Sequence, residues 1–213
     1  MTDVRHSEPE SLAHLLGGRG GAVDASLPPV AFVVGWLLFS HSIGVGALFA
    51  VACGVVIGVV RFVRGTRPRA VLVSVALVVV AALVAMYTGR PEDFFLVQLL
   101  SNAASALVWA ASIAVRWPLL GVVVGTVLGQ KTRWRRDPDL LRAYSVASWA
   151  WVGQYVLRVL VFLPLWLAAQ VEVLAVARVA LTWPLQLLCL VVSGWLLKRA
   201  LPAGHPGIRH PRE

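Results

Sequence analysis

Polar side chains recur every three or four residues along one stretch of the chain, at Gln98, Ser101, Asn102, Ser105, Trp109, Ser112 and Arg116. They recur along a second, at Tyr144, Ser148, Trp151, Tyr155 and Arg158, with Gln154 beside them. On a helix this spacing gathers them into a single stripe. Both stretches are otherwise apolar, as a helix immersed in lipid would be. Hydrocarbon cannot satisfy a hydrogen-bonding group, so each stripe must turn to the interior of a bundle or to a wet cavity. Arg158 is the most demanding of these residues, because a cation near mid-bilayer costs about 2.5–3.5 kcal/mol on insertion scales. Two roles are open to it: a structural arginine bonded to helix carbonyls, or a contact for a substrate, headgroup or ion. The candidate intramembrane polar site is Arg158, Gln154, Tyr155, Gln98, Asn102 and Ser105. Their matching depths predict that Arg158 points at the 98–105 stretch, directly or through water. Arg178 lies nearer the outer end and is expected to snorkel to the interface or pair with an acid.

No catalytic constellation accompanies the stripes. The apolar segments hold no acidic residue, and Glu92, Asp93 and Glu172 all fall at segment boundaries, so a relay through intramembrane carboxylates is not expected. Cys53 and Cys189 are isolated in apolar blocks and read as small buried hydrophobes. The histidines do not cluster as ligands: His41 sits in a tight turn and the others in the terminal tails. The segment Gly125-Thr-Val-Leu-Gly-Gln-Lys-Thr132 approaches a phosphate-binding loop but has Gln130 where the second glycine belongs, and no strand precedes it. No catalytic residue, cofactor or metal is therefore expected, and the chain does not read as an enzyme. A second candidate network lies in the turn between two segments. Arg90 is expected to pair with Glu92, Asp93 or Glu172, and the acids of the turn to cap the helix that follows.

The elements that must position these residues are transmembrane helices. The chain is 59% hydrophobic, with a mean hydropathy of +0.79 and only 14% charged residues, far less charge than a water-facing surface needs. A crossing takes roughly 20 apolar residues. The sequence predicts an all-α polytopic bundle of about six spans. Residues 28–41 form a short first helix opened by Pro28-Pro29, followed by helices at 43–62, 70–88, 94–115, 140–168 and 173–197, the last kinked at Pro184. A short Gly-rich piece at 119–129 is left over as a re-entrant or interfacial segment. Residues 1–27 read as a cytosolic tail with a short interfacial turn at 11–16, residues 28–197 as the membrane domain, and residues 198–213 as a disordered cytosolic tail. Small residues spaced by four, Gly46, Ala50, Gly54 and Gly58, allow close helix approach within the bundle or, alternatively, between copies.

The net charge of +9 is not a nucleic-acid signature, because the basic residues flank apolar blocks. Arg61, Arg64, Arg67 and Arg69 lie in one loop, and Lys131, Arg133, Arg135, Arg136 and Arg142 in another; Lys198 and Arg199 open the tail. The turn at 89–93 carries Arg90 beside two acids. Basic loops mark the cytosolic side, which places both termini inside and sets those loops against anionic lipid headgroups. A homo-oligomer or another membrane protein is a further possible partner.

Four segments carry a resemblance: 16–29 (Leu-Gly-Gly-Arg-Gly-Gly-Ala-Val-Asp-Ala-Ser-Leu-Pro-Pro), 88–95 (Thr-Gly-Arg-Pro-Glu-Asp-Phe-Phe), 134–144 (Trp-Arg-Arg-Asp-Pro-Asp-Leu-Leu-Arg-Ala-Tyr) and 155–158 (Tyr-Val-Leu-Arg). Spread over nearly the whole chain, they resemble the actinobacterial membrane-protein family called domain of unknown function 3159. The order of elements is also similar to the intracellular septation protein A family, with its short first helix, proline-bearing segment after the fourth helix and Trp-Arg-Arg loop. These resemblances imply an inner-membrane protein with a part in envelope integrity or division, acting through partners or lipids, and no known substrate or cofactor. The alternative is a small transporter or lipid-handling protein with a polar site between the fourth and fifth helices. The topology has a direct test. Reporters fused at Glu213 and inserted within 89–93 should report opposite sides of the membrane; agreement between them would refute the six-span count.

Overall fold

The computed structural model describes residues 18–66, 68–130, 132–202 and 205–208. The expected turn at 11–16, Lys131 and the last five residues lie outside them. Seven α-helices account for most of the described residues, in the order α1 (Gly18–Leu38), α2 (Ile43–Val63), α3 (Pro68–Thr88), α4 (Leu96–Ala114), α5 (Leu119–Val127), α6 (Pro138–Leu167) and α7 (Val171–Ala200). A 3-10 turn, Pro91–Phe95, leads into α4 and another, Arg133–Arg135, precedes α6. No strand occurs among the described residues. Among the described residues, five segments are long and apolar enough to cross a membrane: α2, α3, Pro91–Ala114, α6 and α7. The apolar part of α1, Ser26–Leu38, is shorter. At nine residues, α5 extends only about 14 Å and cannot cross.

α1 departs from the expectation. Pro28 and Pro29 lie inside the helix, which begins at Gly18. A proline is cheapest in a first turn, where its missing N–H would have no partner anyway, and that rule placed the start too late. Here the two prolines withdraw N–H donors from the carbonyls of Asp24 and Ala25 in mid-helix, and the boundary expected between residues 27 and 28 falls within α1. The helix ends where Ser40 and His41 adopt left-handed backbone, with φ of 51° and 58°. Ser42 then caps α2 by accepting from the Val45 N–H.

Tight six-to-one closures end four of the helices. Thr66 N donates to Arg61 O, Trp117 N to Ser112 O, Gln130 N to Gly125 O and Gln170 N to Leu165 O. Such closures need a left-handed residue. Gly65 and Gly129 supply it without a Cβ penalty, whereas Arg116 (φ 55°) and Ala169 (φ 52°) supply it with one.

The chain divides into two compact units, Met1–Met86 and Tyr87–Glu213. In the first, the small-residue ladder of α2 is buried within the chain. A Cβ on Gly46 would lie 2.8 Å from the Phe32 carbonyl oxygen of α1, and one on Gly58 would lie 2.9 Å from Val75 of α3. That face is thus taken up by packing inside the bundle. In the second unit α4, α6 and α7 pack together. Trp109 and Trp151 stack with centroids 4.9 Å apart, and Asp93 meets Trp166. These two contacts fix α4 and α6 as antiparallel neighbours in one register. α5 lies along the first turns of α6 because Gly121 admits the Trp134 ring, 2.7 Å from where a Cβ would stand. Trp134, Leu140 and Tyr144 form a buried cluster, packed by Leu120 and Val124 of α5, Leu197 of α7, and Leu201 and Ile208 beyond it.

Residues 198–213 were expected to be disordered, yet 198–200 continue α7 and 205–208 dock on this cluster: Gln130 Nε2 donates to Ile208 O at 2.7 Å. Apolar burial of Leu201 and Ile208 supplies the driving force, which a composition rich in Pro and Gly concealed.

Glycine tolerance distinguishes the two kinds of position. Gly46→Ala should destabilise the protein by about 1–3 kcal/mol, the usual cost of overpacking. Gly153→Ala, which would meet nothing within 4 Å, should be neutral or stabilising by up to about 1 kcal/mol. Unfolding of both variants in detergent checks the contrast.

Candidate functional site

The polar stripes of α4 and α6 do meet, at a buried seam. Asn102 is 2% exposed and Gln154 3%. Gln98 Nε2 donates to Asn102 Oδ1 at 3.3 Å, while Ser105 is half-buried. Asn102 Nδ2, both amide atoms of Gln154, Trp151 Nε1, Ser148 Oγ and Tyr144 OH are buried without a hydrogen-bond partner among the described residues. Tyr144, Ser148, Trp151 and Gln154 follow one another along a single side of α6, so the unsatisfied groups form a file about 15 Å long by helix rise. Unpaired polar groups are costly in such an interior.

Arg158 is the correction. It lies level with Asn102, as the shared register requires, but its guanidinium turns to α7. Nε donates to Leu181 O at 3.2 Å and Nη2 to Thr182 O at 3.3 Å, with the Tyr155 ring 5.7 Å away. The expected contact with the 98–105 stretch is not made. These carbonyls lie in the turn before Pro184, two and three residues ahead of it, whereas the carbonyl that loses its own N–H to the proline is that of Ala180. The arginine adds side-chain donors to the neighbouring carbonyls of the same turn. Of its two possible roles, bonding to helix carbonyls is the one observed.

The turn before α4 is built from side chains. Arg90 Nε donates to Glu92 Oε1 at 2.8 Å, the pairing expected. This hydrogen bond, aided by the charges of Glu92 and Asp93, pushes the guanidinium above its ordinary pKa, against a smaller opposing effect of desolvation. Glu92 and Asp93 are buried. Asp93 Oδ1 accepts from Trp166 Nε1 at 2.9 Å, and Arg90 lies 5.3 Å from the centroid of the same indole. Arg90, at the N-cap of the 3-10 turn, makes no side-chain cap bond, and neither does Phe95 at that of α4; Asp93 meets the end of α6 instead. Glu172 is exposed in the first turn of α7, and the partner of Arg90 is Glu92.

At the opposite end of this unit the structure assembles residues that sequence spacing could not join. Asp137 caps α6 by accepting from Asp139 N and Leu140 N, and its other oxygen lies 2.9 Å from His205 Nε2. With Asp139 these ligand atoms fall within 4.8 Å of one another, close enough to consider a cation. The hydrogen bonds decide against it. Gly207 N donates to His205 Nδ1 at 3.0 Å, so the ring proton sits on Nε2 and is donated to Asp137. That tautomer leaves no nitrogen lone pair for a metal. The only sequence signal was the Asp-Pro-Asp that opens α6; nothing pointed to a histidine 68 residues away. Two arginines at this end lie over exposed indoles: Arg135 is 4.1 Å from the Trp117 centroid and Arg199 5.1 Å from that of Trp195.

Five apolar helical segments of crossing length define a multi-pass helical membrane protein. A family model described as "Protein of unknown function (DUF3159)" matches residues 16–204, and the chain belongs to that family. No curated protein and no solved structure matches it.

The outer turn yields a prediction. Trp166→Phe removes a donor from a buried carboxylate and should cost roughly 1–3 kcal/mol. Glu172→Ala, outside the network, should stay within about 0.5 kcal/mol. Denaturant unfolding of the two variants measures the difference.

Proposed function

We propose that this protein works without covalent catalysis, as an inner-membrane protein that organises anionic lipid at its cytosolic face. The observation that carries this reading is the pair of arginine–indole contacts, Arg135 with Trp117 and Arg199 with Trp195, on exposed rings where α4 and α7 end. Tryptophan prefers the headgroup layer, and arginine beside it meets lipid phosphate. Arg116, Arg133 and Arg136 are exposed at the same end.

In this reading α1 makes a sixth, short crossing that thins the bilayer locally. α5 is an interfacial segment on the cytosolic side, and both termini are cytosolic. The association with division and the envelope rests on architectural likeness alone: a short first helix, the Pro118 segment and the Trp134-Arg-Arg loop. A second copy or another membrane protein would meet the exposed apolar faces. The unsatisfied file along α6 favours a second reading, in which a small polar solute or lipid headgroup is handled between α4 and α6.

Spin-labelled lipids test the first reading. The reconstituted protein should prefer phosphatidylglycerol over phosphatidylcholine by about fivefold per effective arginine contact. Arg116→Gln, Arg135→Gln and Arg199→Gln together should bring that ratio towards one. Equal association of the two lipids with the unmodified protein would overturn it.

A further inference from the structure

One 3-10 turn sorts the basic residues ahead of α6 into two groups. Arg136 N donates to Arg133 O at 3.0 Å, and Arg135 N to Thr132 O at 3.0 Å. Such a turn repeats every three residues, so Arg133 and Arg136 share one face while Trp134 and Arg135 take the other two. Trp134 is 1% exposed and wedged against Gly121 of α5, which anchors the turn. Its arginines are therefore presented from a fixed backbone, and all three are exposed.

The first group is built around Trp117. Arg135 stands 4.1 Å from the centroid of that exposed indole, and its Nε donates to Arg116 O at 3.5 Å. These contacts hold the guanidinium and leave its terminal N–H groups for another acceptor. Arg116 belongs to the same corner, with its side chain exposed. The second group is Arg133 with Arg136 on the adjoining face. Arg135 and Arg136 are consecutive, with Cα atoms about 3.8 Å apart, so the two groups lie within a side-chain length of each other. None of the four arginines forms an ion pair among the described residues. Asp137, next in the chain, is buried, caps α6 and meets His205. Four positive charges thus stand at one corner in two adjacent pairs.

We propose that this corner is a site for a lipid with two phosphates, of the cardiolipin kind, in which one glycerol joins two phosphatidyl groups. One phosphate meets Arg116 and Arg135 beside Trp117, and the other meets Arg133 and Arg136. Guanidinium forks match phosphate oxygens bidentately, an indole favours headgroup depth, and basic pockets at the ends of membrane helices suit such headgroups. Once one phosphate is held, the glycerol bridge makes capture of the second intramolecular, so the linked pair gains more than two separate lipids do. The proposal rests on the anionic-lipid reading above and adds to it one kind of lipid and one corner of the protein.

Native mass spectrometry of the full chain tests the site, with cardiolipin, phosphatidylglycerol and phosphatidylcholine titrated separately. The first cardiolipin should bind at least about tenfold more tightly than the first phosphatidylglycerol, beyond the factor of about two that phosphate number alone gives. Arg116→Gln with Arg135→Gln should bring that ratio down to about two, and so should Arg133→Gln with Arg136→Gln, since each variant leaves one phosphate engaged. Arg64→Gln with Arg69→Gln removes equal charge around the α2–α3 loop; it should weaken both anionic lipids alike and keep the ratio. A ratio of about two or less in the unmodified protein, with phosphatidylglycerol still preferred over phosphatidylcholine, would overturn this site and leave the broader lipid reading standing. Equal binding of all three lipids would overturn both. An unchanged ratio in either variant of the corner, or a ratio lost in the loop variant, would also overturn the site.

Discussion

A polar group carried into hydrocarbon has to find its partner inside the protein, and the second unit is arranged around that requirement. Its helices hold register through the few places where polar groups meet. Trp166 on Asp93 joins one end of α6 to the turn before α4, and Arg158 joins the middle of α6 to α7. Apolar surface between the helices cannot provide this alone, because lipid chains solvate leucine as well as another helix does. The Trp109–Trp151 stack adds shape at the same seam.

The first unit meets the constraint by the opposite means. It has little polar chemistry in its helices and relies on absence of side chain: Gly46 and Gly58 bring backbones close enough for dispersion contacts to accumulate. Gly121 performs the same service for a ring rather than a helix, admitting Trp134 beneath α5. Small residues and large aromatics are thus complementary devices, one yielding the space that the other fills.

Much of this was legible in the residues. Apolar blocks of crossing length announced the helices, the spacing of four announced the buried face of α2, and the charges of the 89–93 turn announced that Arg90 meets a nearby acid, with Glu92 the one among Glu92, Asp93 and Glu172 that it takes. The direction of Arg158 was not legible. Depth along a helix follows from counting residues, but azimuth depends on which neighbour offers acceptors, and here those are the Leu181 and Thr182 carbonyls of α7. The meeting of Asp137 with His205 was hidden for a different reason, since a contact between remote residues leaves no periodic trace in either segment. The start of α1 was obscured because proline has a preference for first turns and no strict exclusion from later ones.

The tail that closes on the Trp134 cluster has a consequence for how the chain is made. Gln130 bonds to the carbonyl of Ile208, 78 residues later, and Leu201 and Ile208 cover the ring and its neighbours. A ribosome delivers these pieces in order, from the amino terminus onward. α5 and the start of α6 are therefore made well before their cover exists, and the Trp134 surface stays open during that interval. Cover for this end of the unit comes only with residues 201–208, which follow all the described helices in the order of synthesis.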